Sequence, residues 1–197
     1  ILSQVVFKAK TEYDNMQVDI DMIKIHNVKM GGFFTLPAAA DGTGSWSDLN
    51  DLPSEASGLG KFTVVKDANI TVESNTTATD ISTTTPMLNR PQELTAWKVS
   101  ETGTKTKEQA DDAKQCYLEI ACKIRQNGVY LLGSADNYGT IYVPFGDTWK
   151  PGKRHIYTLI FGGGYDDQGK AVLNPIRFDA ETTGWVDADN KDVNVQP

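Results

Sequence analysis

The chain has 197 residues, 39% of them hydrophobic and 23% charged, with a formal net charge of −7. That size and balance suit one β-sandwich, or a small domain plus a partial one, and argue against disorder. An acidic protein has no field to draw in nucleic-acid phosphates or anionic lipid, and the basic run Lys150 to Arg154 is too short to change this. No run of about 18 apolar residues reads as a membrane-spanning helix. The chain begins at Ile1 rather than Met, which fits a processed or truncated product whose export signal is out of view.

The predicted elements are strands almost throughout. Val5 to Lys10 is the first. Val18 to Ile25 follows with a slip of phase: Val18, Ile20 and Met22 share one parity, Ile23 and Ile25 the other. A β-bulge near Met22 reconciles the halves. Gly31-Gly32 and Asp41 to Gly44 read as turns. Phe62 to Val65 and Ile70 to Glu73 are short strands. Asn69 to Thr85 is rich in Thr, Ser and Asn and reads as strand edge plus loop. Its two Asn-x-Thr triplets, at Asn69 and Asn75, match a glycosylation pattern too common to carry weight alone.

Leu94 to Val99 is the next strand. Thr106 to Lys114 has helical propensity but no apolar stripe, so a long exposed loop is expected. The clearest strand is Cys116 to Arg125, where Cys116, Leu118, Ile120, Cys122 and Ile124 occupy one face. Ile141 to Phe145 alternates too, and Pro144 within it points to an edge or a bulge. His155 to Phe161 is nearly continuous in apolar and β-branched residues, as in a central strand, and Ile176 to Ala180 alternates again. Asn127-Gly128, Pro151-Gly152 and Gly162 to Gly164 read as reversals. The fold class is all-β, an antiparallel sandwich.

Signals for chemistry are sparse. Cys116 and Cys122 are six residues apart on one strand, about 20 Å at the strand rise. That is too far for a disulfide, so both read as small buried hydrophobes. Of the two histidines, His26 closes a strand and His155 opens one, and no Gly-x-Ser-x-Gly elbow surrounds a serine. Gly162 to Gly164 lacks the Gly-Lys-Ser/Thr of a phosphate loop. Asp111-Asp112 and Asp166-Asp167 fall in polar, loop-like sequence and would keep ordinary carboxylate behaviour. Asp187 to Asp192 places oxygen ligands at alternate positions, but Lys191 sits among them and the Gly and late Glu of a calcium loop are missing. No catalytic residue, metal or cofactor is expected. Trp46, Trp97, Trp149 and Trp185 could pack in the core or, if exposed and coplanar, stack on sugar rings.

Several blocks in order resemble the Bacteroides-type fimbrillin-like family, specifically its C-terminal domain. They are Leu2 to Lys10; Val18 to Val28 followed by Gly31 to Thr35; Gly44-Ser-Trp46; Asn89-Arg-Pro-Gln92; Trp149-Lys-Pro-Gly152 with Tyr157-Thr158; Pro175 to Asp179; and Trp185-Val-Asp187. The resemblance implies a transthyretin-like β-sandwich over 1–187, with 188–197 as an acidic tail. It also implies export as a lipoprotein, trimming at the surface, an outer-membrane-associated fimbria, and other fimbrial subunits as partners. A further N-terminal domain would precede this one. Assembly would proceed by strand addition, in which one subunit's strand completes a neighbour's sheet. The candidate donor is the tail, where Val193 and Val195 alternate. The competing expectation is a surface module that binds a host or glycan ligand, which requires two or more exposed, coplanar tryptophans. An enzyme would require a cleft with His26 or His155 beside a Ser or a carboxylate.

Overall fold

The structure is a computed structural model, and it describes residues 2–39, 42, 44–47, 59–82, 87–173, 177–184 and 192–194. The strands in chain order are β1 (Ser3–Thr11), β2 (Met16–Lys29), β3 (Phe33–Thr35), β4 (Ser45–Ser47), β5 (Leu59–Val65), β6 (Ile70–Val72), β7 (Thr79–Asp80), β8 (Met87–Asn89) and β9 (Gln92–Leu94). A short helix α1 (Lys107–Asp112) follows. Then come β10 (Tyr117–Gln126), β11 (Val129–Leu132), β12 (Gly139–Pro144), β13 (Asp147–Trp149), β14 (Lys153–Phe161), β15 (Gly163–Tyr165), β16 (Ala171–Leu173), β17 (Arg177–Gly184) and β18 (Asp192–Asn194).

Two sheets face each other. One runs β18-β17-β14-β1-β7, with β8 also on β1. The other runs β16-β15-β12-β10-β2-β5, with β6 on β2 and β11 on β10. Period-two alternation puts Val5, Phe7, Ala9, Tyr157, Leu159 and Phe161 of the first sheet against Val18, Ile20, Ile23, Ile25, Leu118, Ile120 and Cys122 of the second. Burial of these side chains supplies the main stabilisation, about 1.5–3 kcal/mol each.

The phase slip in β2 is a bulge. Ala121 faces Met22 and Cys122 faces Ile20, which leaves Asp21 without an opposite number. Ala68 donates its amide to the Asp21 carbonyl at 3.3 Å. With one residue looped out, Ile20 and Ile23 both reach the core. A second irregularity sits at Asn27, whose φ is +61°, and it lets His26 and Val28 both turn inward. Asn127 and Gly128, both at positive φ, make the tight β10–β11 turn.

The fold is the expected all-β sandwich of mostly antiparallel strands, and three local expectations are corrected. One pair is parallel, β1 with β14, from Gln4↔Arg154 to Thr11↔Phe161. Parallel neighbours need a long crossover, and the whole of β2 to β13 supplies it. Gly162 to Gly164 does not reverse the chain. It carries the chain from β14 in one sheet to β15 in the other, and a side chain at Gly164 would meet Ile141 Cβ at 3.0 Å. The expected exposed loop at 106–114 contains α1. A capping box forms it: Thr106 Oγ1 accepts from the Gln109 amide, and the Gln109 side chain accepts from the Thr106 amide. The strand expected over Leu94 to Val99 ends at Leu94, because the chain turns to bury Trp97 against Ala110 and Tyr117. In addition, β12 is flanked by β10 and β15, and Pro144 is tolerated as its last residue.

Removing the bulge residue should be milder than an ordinary core truncation. With Asp21 deleted, Val18, Ile20, Ile23 and Ile25 fall on one parity, so a straight β2 still turns all four inward against β10. We expect a folded protein with a loss under about 2 kcal/mol in urea unfolding. A loss above about 4 kcal/mol, or no folded protein, would mean that the bulge does more than reconcile the two apolar series.

Candidate functional site

An edge strand exposes a row of unpaired backbone donors and acceptors. On the β14 side, β17 is fully paired, from Lys153↔Gly184 to Ile160↔Arg177. On its outer side, among the described residues, it meets β18 at Asp179↔Asn194, Ala180↔Val193 and Glu181↔Asp192. The tail strand therefore lies on the edge of its own sheet, with Val193 opposite Ala180. Val195 lies outside the described residues, as do Ile176, Trp185 and 187–191 of the acidic segment considered for calcium. Among the described residues no group of three or more His, Cys, Asp and Glu side chains could hold a metal ion.

Among the described residues, Trp46, Trp97 and Trp149 do not form a flat platform. Trp97 and Trp149 are buried. Trp46 is partly exposed and packs on Phe34 at 5.2 Å between ring centres, with the Arg90 guanidinium 5.7 Å from its ring. Phe34, Leu36, Pro37, Trp46, Pro91 and Pro151 line an apolar pocket of about 460 Å³.

Each histidine sits beside a carboxylate, but both rings are buried and built into the packing. His26 Nε2 lies 2.6 Å from Glu119, and its Nδ1 lies 3.0 Å from the Tyr117 hydroxyl. Tyr117 donates to Asp111 at 2.7 Å. Asp111 also accepts from Asn27 and Lys107, so this cluster ties α1 to the sheet. Burial pushes the Asp111 pKa up, but the bonds from Lys107, Tyr117 and Asn27 outweigh it and leave the carboxyl below its ordinary value. Burial disfavours the charged imidazole and lowers the His26 pKa, against the pull of Glu119. With the ring neutral and Nε2–H donating to Glu119, the single Tyr117 hydroxyl proton faces two acceptors, Asp111 and His26 Nδ1.

The second cluster explains the Trp149-Lys-Pro-Gly152 block. The Trp149 indole donates to the Tyr157 hydroxyl at 2.9 Å, and Tyr157 donates to Asp147 at 2.5 Å. The Lys150 amide donates to His155 Nε2 at 3.0 Å, which assigns the ring proton to Nδ1, facing Asp147 at 3.5 Å and Thr182 at 3.4 Å. Burial raises the Asp147 pKa, and the bonds from His155, Tyr157 and the Thr148 amide more than reverse this. Phe7 and Phe145 pack on the Tyr157 ring. No serine or cysteine nucleophile is hydrogen-bonded to either histidine among the described contacts. Both cysteines are free and buried, and burial raises their thiol pKa values, which keeps them protonated and inert. These constellations orient strands and a turn. They are not catalytic in form.

The family model for fimbrillin-like proteins matches residues 1–185. The chain belongs to the fimbrillin-like family. No curated protein and no solved structure matches it. Fimbrillin-like proteins are structural subunits rather than enzymes, and the family implies assembly with other fimbrial subunits at the cell surface. No helix among the described residues is long and apolar enough to cross a membrane. In this fimbrillin-like chain, Trp149, Tyr157 and the Pro151-Gly152 turn fasten the start of β14 to the core. The alternation of β14 was visible in the sequence. The Asp147–Tyr157–Trp149 network was not, because its members lie on two strands separated by a turn and carry no motif of their own.

Two predictions follow from the networks. Tyr157→Phe keeps the ring packing but leaves the Trp149 indole without its acceptor and removes one of the donors to Asp147, so we expect a loss of about 1–3 kcal/mol in chemical unfolding. His26 has a folded pKa below its ordinary 6.5. The folded state therefore takes up its proton later than the unfolded state as pH falls. The stability contribution is present above about pH 6.5 and is lost as pH drops through the folded value. His26→Gln should flatten the slope of stability against pH between about 5 and 7 relative to the parent. An unchanged slope would assign the dependence elsewhere.

Proposed function

We propose that this fimbrillin-like protein is a structural or adhesive subunit of a bacterial surface fimbria and assembles by strand addition at the outer edge of β17. The reading rests on one observation: β17 is eight residues long, and among the described residues the tail strand pairs with three of them. Such an edge can exchange an intramolecular strand for one from a neighbour. Backbone hydrogen bonds then give affinity, and alternate side chains give register. Residues 1–187 form the domain in this reading, transthyretin-like in arrangement. Residues 188–197 form the tail, with Val193 and Val195 as the side chains that a neighbour's sheet receives. Export as a lipoprotein and anchorage of the fimbria at the outer membrane belong to the same proposal.

An adhesive version has narrower support. The coplanar tryptophan pair it called for does not occur among Trp46, Trp97 and Trp149, and what favours it now is the pocket beside Trp46. A host or glycan ligand would enter there. Trp46→Ala would then abolish retention on immobilised glycans without changing subunit assembly.

Deleting Asp192 to Pro197 from the protein expressed in its own cell tests strand addition. We expect detergent-resistant oligomers to disappear while the monomer stays folded. An unchanged oligomer ladder removes the tail from the mechanism.

A further inference from the structure

We propose that a tail donated to a second copy of this chain runs parallel to β17, the reverse of the direction in which β18 lies on its own edge. The inference rests on the fimbrial reading and deepens it by fixing how the donor strand enters the acceptor.

The tail leaves β17 and returns to it at the same end. β17 runs from Arg177, opposite Ile160, to Gly184, opposite Lys153. β18 then runs back, with Asp192 opposite Glu181 and Asn194 opposite Asp179. An antiparallel cover therefore enters the edge from the Gly184 end, the end from which every tail departs. The chain from Gly184 to Asp192 reaches at most about 28 Å when fully extended.

That reach separates two modes of exchange. If a neighbour receives the tail in the antiparallel sense, the two Gly184 ends lie within reach of each other. The neighbour's tail is then equally close to the first copy's edge, and its effective concentration there is high. Reciprocal exchange closes a two-fold pair, and growth stops. A parallel donor enters at the Arg177 end instead. In a head-to-tail row that end faces the Gly184 end of the giver. The acceptor's own exit then lies two lengths of β17, about 50 Å, from the giver's Arg177 end, beyond the reach of its tail. Such a row stays open, as a fimbria requires.

Charge selects the same direction. Ala180 is in the core, so Phe178 and Ala180 share the core face of β17, and Arg177, Asp179 and Glu181 share the other. On its own edge the tail places Asp192 directly opposite Glu181, and like charges at opposite positions destabilise a strand pair. A parallel run with Val193 opposite Phe178 and Val195 opposite Ala180 keeps both valines on the core face. It moves Asp192 opposite Arg177 and sets the neutral Asn194 and Gln196 opposite Asp179 and Glu181. Arg154, opposite Thr183 on β14, flanks the edge in both runs and does not discriminate between them.

Cysteine pairs in the full chain read the direction, since Cys116 and Cys122 are buried. Glu181→Cys with Gln196→Cys reports the parallel run. Glu181→Cys with Asp192→Cys reports the antiparallel one and, by removing the like charges, gives it its best chance. Both double variants are expressed in the protein's own cell, oxidised after assembly and run on non-reducing gels, and thermal melts of the purified chains confirm that they fold. The first pair should give a ladder of covalent oligomers, and the second a cross-linked monomer. Arg177→Glu added to the first pair should cut the ladder several-fold, and an unchanged ladder overturns the register. Covalent dimers or a ladder from the second pair at equal or higher yield, or no covalent oligomer from the first, overturns the parallel run. Detergent-resistant oligomers of the parent, together with such a result, leave the fimbrial reading standing without this direction. The absence of those oligomers removes the fimbrial reading itself.

Discussion

The pairing of β2 with β10 is the constraint on which the rest of the molecule depends. It runs from Tyr117↔His26 to Gln126↔Met16, and it carries the inner wall of the core along the whole of β10. A register shift of one residue would turn the core face of either strand outward. The bulge at Asp21 lets two apolar series of opposite parity share one core, and Asn27 then turns His26 inward to meet Tyr117 and Glu119. One strand thus positions the core, the tie to α1 and the root of the β3–β4 arm.

The first sheet is built differently. Its centre is the parallel pair of β1 and β14, which join only after the second sheet has been laid down in sequence. Such long-range pairing brings no local reward while the chain closes. The aromatic and polar network at the start of β14 offsets this. Trp149, Tyr157, Phe7 and Phe145 concentrate burial and hydrogen bonding where β14 must find β1. At the outer edge of the same sheet, among the described residues, β18 meets β17 over three residues. In the proposed strand addition this is the pairing that would be exchanged.

Much of the fold was legible in the sequence, for identifiable reasons. The alternation of Cys116 to Ile124 gave β10 and its buried face. The parity change between Met22 and Ile23 located the bulge to within a residue. Asn127-Gly128 marked a tight turn because only such residues accept positive φ cheaply at both positions. The misses were tertiary. Trp97 left its expected strand because burial against Tyr117 outweighs β-propensity. The helix at 107–112 forms through a capping box rather than an apolar stripe, and only Ala110 is buried. The parallel β1–β14 pair has no local signature at all. The exposed apolar side chains were equally invisible, because Phe33, Leu36 and Val129 look like core residues until the fold leaves them outside.

The blocks that carry the family likeness fall mostly on the scaffold. Val18 to Val28 is the bulged strand, Asn89 to Gln92 leads into β9, and Gln92 exchanges hydrogen bonds with the Lys29 backbone. Trp149 to Gly152 is the fastening of β14. These residues specify how the sandwich closes, and they are satisfied within one chain. What the fold leaves exposed is different in kind: among the described residues, a strand edge paired over three positions and two hairpins with large apolar side chains outside. None of these needs a fixed motif, because an edge is read through its backbone and an apolar patch through its area and shape.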